Sequence, residues 1–286
     1  MHNTNLNFFG TEMVVFSDNE ILIDRINFIF RYFLSDCTSP QIFFKVSTRK
    51  KTIGNPLLLD DGLLTNRTAV ISYSYDNKKY YSWDYNDTFL PPLQIYPLAG
   101  RFLVLHGCAI MIKGRTIVFV SPSFGGKTTM VYYALKQGAS CITDDLVFIE
   151  NGNVIPYKKP VGIRETNHVA ITDFNVRKDV HPLTLINPQG LATHLVHLDD
   201  LFNVPYVEDP SSIDWFVIPD KNKTGKPHKL DMFEVTRRLS ASICNSGLDD
   251  RALLESLFFA TSSAKGAFFL PTGDIENAFN NMMSII

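Results

Sequence analysis

The stretch "SPSFGGKTT" (121–129) brings together residues suited to holding phosphate. Gly125 and Gly126 allow a close backbone approach, Lys127 supplies a full positive charge, and the Thr128 hydroxyl can ligate Mg²⁺. The segment fits the phosphate-loop pattern G-x-x-x-x-G-K-[ST] in its last three positions, while Ser121 stands where the leading glycine belongs. The same letters could describe a tight turn carrying a surface lysine. The flanks favour an anion site. "TIVFV" before the loop reads as a buried strand, and "TTMVYYALKQG" after it reads as a helix ending at Gly138. Loop N–H groups and a helix N-terminus then point at one place, and both are electropositive. Ser123, Phe124, Gly125, Gly126, Lys127, Thr128 and Thr129 are the expected nucleotide-binding residues.

Two carboxylates follow at a useful distance. "SCITDDLVFIE" (140–150) reads as one apolar strand carrying Asp144 and Asp145. Adjacent strand residues face opposite ways unless the chain turns, so the two acids take different roles. One can hold Mg²⁺ and the other can accept a proton from an attacking hydroxyl. His106, on the strand-like run "FLVLHGCAIMI", is a further candidate. "HLVHLDD" (194–200) gathers two histidines and two aspartates but has no third ligand at firm metal spacing. "NKTG" (222–225) lacks the aspartate of a guanine-reading motif, which favours ATP over GTP.

The elements that must position these groups follow from pattern. "MVVFSD" (13–18) is a short strand. Leu22, Ile26, Ile29, Phe30 and Phe33 recur at spacings of three and four, which predicts one amphipathic helix over 20–36, capped by Asp18 or Asn19. Strands are expected at 42–47, 69–75 and 79–85, the last two joined by a turn at "DNK". Asn86 to Pro92 breaks the pattern, and the texture changes from Arg101. This predicts a smaller N-terminal α+β domain over 1–95, a candidate substrate-recognition region, and a catalytic domain over 96–286. In the second, hairpins turn at Lys113-Gly114-Arg115 and at "NGN" (151–153). Later strands are expected at "DWFVIPD" and "AFFLP", with helices at "MFEVTRRLSASIC", "DDRALLESLFFAT" and the C-terminus.

Composition excludes several classes. The chain has 286 residues, 45% of them hydrophobic and 20% charged, with a formal net charge of −2. Such a balance announces neither a nucleic-acid nor a membrane partner. No apolar run reaches the roughly 18 residues of a membrane helix, and the N-terminus lacks a signal-peptide pattern. Cys37, Cys108, Cys141 and Cys244 are scattered, with no C-x-x-C pair, as expected of free thiols in a reducing cytoplasm.

Taken together, "HGCAI", a short hairpin, "SPSFGGKTT", a helix and "ITDDLV" resemble the catalytic domain of HPr kinase/phosphorylase and its relatives. "VIPYKKPVGIR" (154–164) is similar to a proline-containing segment of the HPr kinase-like enzymes of peptide-tailoring clusters, including lasso-peptide kinases. The resemblance covers about residues 100–165. It implies an α/β fold with a P-loop kinase core of the HPr kinase type. It also implies that Lys127 binds phosphate, Thr128 and Asp144 hold Mg²⁺, Asp145 is the base acting on an acceptor serine, and His106 sits beside the reacting phosphate. Arg164 would contact phosphate or substrate. The glycines expected at 121 and 124 are absent, and residues 1–95 do not match the HPr enzymes. The expected activity is an ATP-dependent, cytoplasmic serine kinase acting on a peptide or protein, a ribosomal peptide precursor among the candidates, with a homo-oligomer allowed. The alternatives are a nucleotide-binding regulator or scaffold without transfer, and a nucleotide hydrolase.

Overall fold

The computed structural model describes residues 1–47, 70–84, 93, 100–122, 125–164, 181–186, 192–202, 206–244 and 248–286. The chain is mixed α/β and divides into two compact units, Met1–Ala99 with Leu185–Gly190, and Gly100–Thr184 with Leu191–Ile286. The expected boundary at 95/96 lies outside the described residues.

In the first unit, five strands order as β1 (His2–Phe8), β2 (Thr11–Ser17), β3 (Ile42–Ser47), β5 (Lys78–Asp84) and β4 (Val70–Tyr75). Strand β1 lies outside the sequence expectation because its odd positions are polar. Its buried residues are Thr4, Leu6 and Phe8, a two-residue period on one face. Helix α1 (Glu20–Ile29) starts where Asn19 accepts from the Leu22 N–H at 3.3 Å, and buries Leu22, Ile23, Ile26 and Ile29. The predicted helix to residue 36 is a correction. The chain leaves the α-helix after Ile29 and tightens into a 3₁₀ turn over Arg31–Phe33. The tighter winding brings Phe30 and Phe33 onto the same ring, with centroids 5.4 and 4.9 Å from Phe8.

In the second unit, a nine-stranded sheet runs β14 (Ser211–Ser212), β10 (Asn153–Ile155), β9 (Leu146–Glu150), β6 (Leu103–Ile112), β7 (Arg115–Val120), β15 (Trp215–Asp220), β17 (Gly266–Pro271), β16 (His228–Lys229), with β8 (Ser140–Thr143) also paired to β6. The β6–β7 hairpin turns at Lys113 and Gly114, both at positive φ, which matches the twist of the flanking strands. Strands β7, β15 and β17 are mutually parallel, so their C-terminal ends share one edge. Ligands of open α/β sheets bind outside that edge.

Both faces of this sheet are covered. On one, Val235 and Leu239 of α4 (Met232–Ser240) and Leu257 and Ala260 of α5 (Asp250–Ser263) join a buried cluster with Leu105, Val118, Val147, Ile149 and Phe216. Helix α2 (Lys127–Lys136) contacts α6 (Ile275–Ile285) through Tyr133 and Phe279, centroids 5.4 Å apart. Tyr132 of α2 packs with Ile163 of β11 (Val161–Arg164), Val196 of β13 (Ala192–Val196) and Leu201 of α3 (Leu198–Leu201). This second cluster fixes the antiparallel β11–β13 pair relative to α2. Each such fully buried side chain contributes about 1.5–3 kcal/mol. The intervening strand β12 (Leu183–Ile186) spans the point where the chain passes from one unit to the other.

The expected single strand over 140–150 is also corrected. It breaks into β8 and β9 at Asp144–Asp145. The Asp144 carbonyl accepts from the Leu146 N–H at 3.0 Å around Asp145, whose φ is 73°. That is a three-residue γ-turn of the strained, positive-φ kind. Register is nevertheless kept across it. His106 pairs with Leu146 and Ala109 with Thr143, so Gly107–Cys108 of β6 face Asp144–Asp145 two for two. The Gly107 N–H donates to the Asp145 carbonyl at 3.1 Å. Gly107 is required by space, since a Cβ there would meet the Phe119 carbonyl oxygen at 2.7 Å and Val147 Cγ2 at 3.2 Å. Gly107→Ala should therefore cost about 1–3 kcal/mol, lowering the thermal midpoint by roughly 2–12 °C. A calorimetric scan of the variant measures it, and an unchanged midpoint would refute the tight packing.

Candidate active site

The phosphate-loop residues come together with both carboxylates in one cavity of about 290 Å³. Its floor is Gly125, Gly126, Lys127, Thr128 and Thr129. His106, Cys108, Asp144 and Asp145 line a second part of it, and Lys159, Pro160, Gly162, Arg164, Thr193 and Leu195 a third. There Gly162 pairs with Leu195 and Arg164 with Thr193, so alternate residues of β11 and β13 present one surface. Lys221, just past the C-terminal end of β15, closes the rim. Ser123 and Phe124 lie outside the described residues.

The loop explains how a serine replaces its leading glycine. Ser121 is buried, and its hydroxyl donates to the Pro122 carbonyl at 3.3 Å. A Cβ on Gly125 would fall 2.2 Å from Ser121 Oγ, so the serine occupies space that a side chain at 125 would need. Gly126 then caps α2 in the left-handed conformation and brings no side-chain hydrogen bond to the first-turn N–H groups. Lys127 folds back on the loop. Its Nζ donates to the carbonyls of Ser121 at 2.5 Å and Pro122 at 3.0 Å. Burial pulls the Lys127 pKa down, partly offset by the neighbouring Asp145 and Asp144 charges.

The γ-turn gives the two acids opposite environments. Asp144 is 4% exposed, and its Oδ1 accepts from the Cys108 thiol at 2.8 Å and from the Thr128 hydroxyl at 3.4 Å. Burial raises its pKa, and the charge of Asp145 raises it further. Burial and Asp144 together push the Cys108 thiol up as well, which keeps it protonated as the donor. The Asp145 side chain is 55% exposed and faces the Lys159 ammonium, Nζ at 2.8 Å from Oδ2, and the His106 ring, Nε2 at 3.5 Å from Oδ1. The Lys159 charge holds the Asp145 carboxyl well below the usual range. For Lys159, burial works against the charge, but Asp145 and Asp144 outweigh it and the pKa is raised. Two acids driven apart in this way are characteristic of sites that separate acid, base and ligand roles.

His106 is placed by its neighbours on both sides of β6. Its own N–H donates to the Ser242 carbonyl at 2.7 Å, while the strand pairs with β9 at Leu146. Lys159 and Lys221 were not singled out from sequence. Lys159 arrives through topology, because Tyr157 bridges Thr143 in parallel and donates to the Ile142 carbonyl at 3.0 Å, carrying the next residues past the acid pair. The doubled lysine before a proline in "YKKP" was the available signal. The histidine-aspartate cluster does not join this site. His194 shares a hydrogen bond with the Thr184 hydroxyl at 2.9 Å, and His197 is buried before α3. Among the described residues, no group of three His, Cys, Asp or Glu is arranged to hold a metal.

The oxygen donors of Thr128 and Asp144 nonetheless suit Mg²⁺. They approach each other within 3.4 Å at the helix N-terminus, and Mg²⁺ takes one or two carboxylates and completes its shell with water and substrate phosphate. Among the described residues, no helix is long and apolar enough to cross a membrane. No family model matches the chain, and no curated protein matches it.

Proposed function

We propose that this chain is an ATP-dependent kinase with a P-loop core of the HPr kinase type, transferring the γ-phosphate to a serine hydroxyl of a peptide or protein. One observation carries the reading. The phosphate loop, the Thr128–Asp144 oxygen pair and the open Asp145 carboxylate line a single cavity at the C-terminal edge of parallel strands. Gly125, Gly126 and the first N–H groups of α2 receive the phosphates, and Lys127 turns from the loop carbonyls onto them. Thr128 and Asp144 would hold Mg²⁺, which neutralises charge on the phosphates when bound. Asp145 orients the serine hydroxyl and takes its proton as the Oγ–P bond forms and the bond to the β-phosphate oxygen breaks, with ADP leaving. The transition state of phosphoryl transfer is loose, so a carboxylate of low basicity serves as acceptor late in the step. His106 stays beside Asp145 and fixes the orientation of its carboxylate.

A second reading, a nucleotide-binding regulator without transfer, is favoured by the Lys127 ammonium engaged on Ser121 and Pro122. Labelled ATP with Mg²⁺ and a panel of serine-containing peptides separates the possibilities. Label on serine supports the kinase. Steady phosphate release without an acceptor makes the chain a hydrolase, and nucleotide binding without either outcome makes it a regulator.

A further inference from the structure

Lys159 belongs to no phosphate-loop pattern, yet it bears directly on the acid pair. Its side chain is 18% exposed and its Nζ is 2.8 Å from Asp145 Oδ2. The backbone there is braced, because the Lys159 N–H donates to the Tyr157 carbonyl at 3.1 Å and Pro160 follows. Lys127 and Lys159 therefore stand on different parts of one cavity, the first on the loop carbonyls and the second on the carboxylate farther along the chain.

This arrangement meets a problem that any polyphosphate would pose. Phosphates seated on α2 bring the terminal one toward Thr128 and the two aspartates, and like charges brought together in a half-enclosed site repel strongly. A diphosphate on the same loop stops one phosphate short of them. The ammonium has three donors, of which Asp145 takes one at the observed distance, so the same group can hold the carboxylate and a phosphate oxygen together.

We infer that Lys159 is a terminal-phosphate sensor, pairing with Asp145 in the nucleotide-free site and donating to the γ-phosphate of a bound nucleoside triphosphate. The inference rests on the nucleotide-binding reading above. It makes the cavity prefer triphosphate over diphosphate. It also ties a weakening of the Asp145–Lys159 pair to arrival of the group that is to be transferred, because the ammonium is then shared between the carboxylate and the phosphate.

Titration calorimetry with MgATP and MgADP tests this without relying on catalysis. The wild-type chain should bind MgATP about tenfold more tightly than MgADP, the size of one charge-assisted hydrogen bond. Lys159→Met, which keeps the length of the stem, should weaken MgATP about tenfold and leave MgADP within about twofold. Lys159→Gln, which keeps a donor without the charge, should do the same, and Lys159→Arg should restore part of the preference. A thermal scan of each variant checks that it is folded. Equal wild-type affinities for the two nucleotides would overturn the inference, as would a variant that weakens both alike or neither. If the wild-type chain binds neither nucleotide, the P-loop reading itself fails, a result distinct from a binding site that does not discriminate.

Discussion

Asp145→Asn should lower phosphoryl transfer by roughly 10²–10⁴-fold, the usual worth of a positioned general base, while MgATP binding is kept or tightened. The substitution is a clean one for a structural reason. Asp145 sits at φ 73°, a region that asparagine tolerates nearly as well as aspartate, whereas alanine would add backbone strain. The amide keeps the shape of the γ-turn and can still accept from Lys159. It cannot take the proton of a serine. Removing the charge also weakens the hold on Lys159 and leaves it more available to phosphate, which is why affinity should not fall. Single-turnover transfer and calorimetry, run on the same preparation, measure the two quantities separately. Transfer at the wild-type rate would remove Asp145 from the role of base.

Lys127→Ala should weaken nucleotide binding by about 10- to 100-fold, as expected for losing hydrogen bonds from a charged group to phosphate. The lysine has a second task in the free protein, tying the Ser121 and Pro122 carbonyls together. A modest fall in thermal midpoint should accompany the loss, of order 1 kcal/mol for the released carbonyl interactions. Lys127→Arg separates the two tasks. A guanidinium keeps the charge but is too broad and planar for a cradle built around a compact ammonium. Nucleotide affinity unchanged in Lys127→Ala would end the P-loop reading.

Much of this site is legible in the chain before any coordinates, and the reason is locality. A buried strand, a glycine loop and a helix are contiguous, so Gly125 to Thr129 reach the cavity together. Asp144 and Asp145 are legible as a pair facing different surroundings, but the cause of the difference is not. Alternation along a strand predicts opposite faces, whereas the divergence comes from a γ-turn set by pairing on β6. Ser121 reads as a defect until Gly125 is seen to leave room for it. Lys159 was hidden for a different reason. Its approach to Asp145 depends on the bridge between Tyr157 and Thr143, a contact that no local pattern announces. Helix α1 ends early because aromatic packing on Phe8 overrides a periodicity that would otherwise continue.

The two-for-two match between Gly107–Cys108 and Asp144–Asp145 restricts how this chain can change over generations. Loss or gain of one residue between Thr143 and Leu146, unless taken up where the β6–β8 register already shifts between Ala109 and Ile110, would slide β9 along β6 by one step, and a one-step slide exchanges every side chain between faces. Both faces of β9 are buried. Val147 and Ile149 belong to the cluster beneath the sheet, while Phe148 stacks edge-on with Phe102 at 5.8 Å and Tyr157 at 4.9 Å. Exchanging them would press a phenyl ring into space shaped for branched aliphatics. The spacing of the acid pair is thereby tied to the hydrophobic interior, so substitution at this site disturbs the fold less than a change of length does.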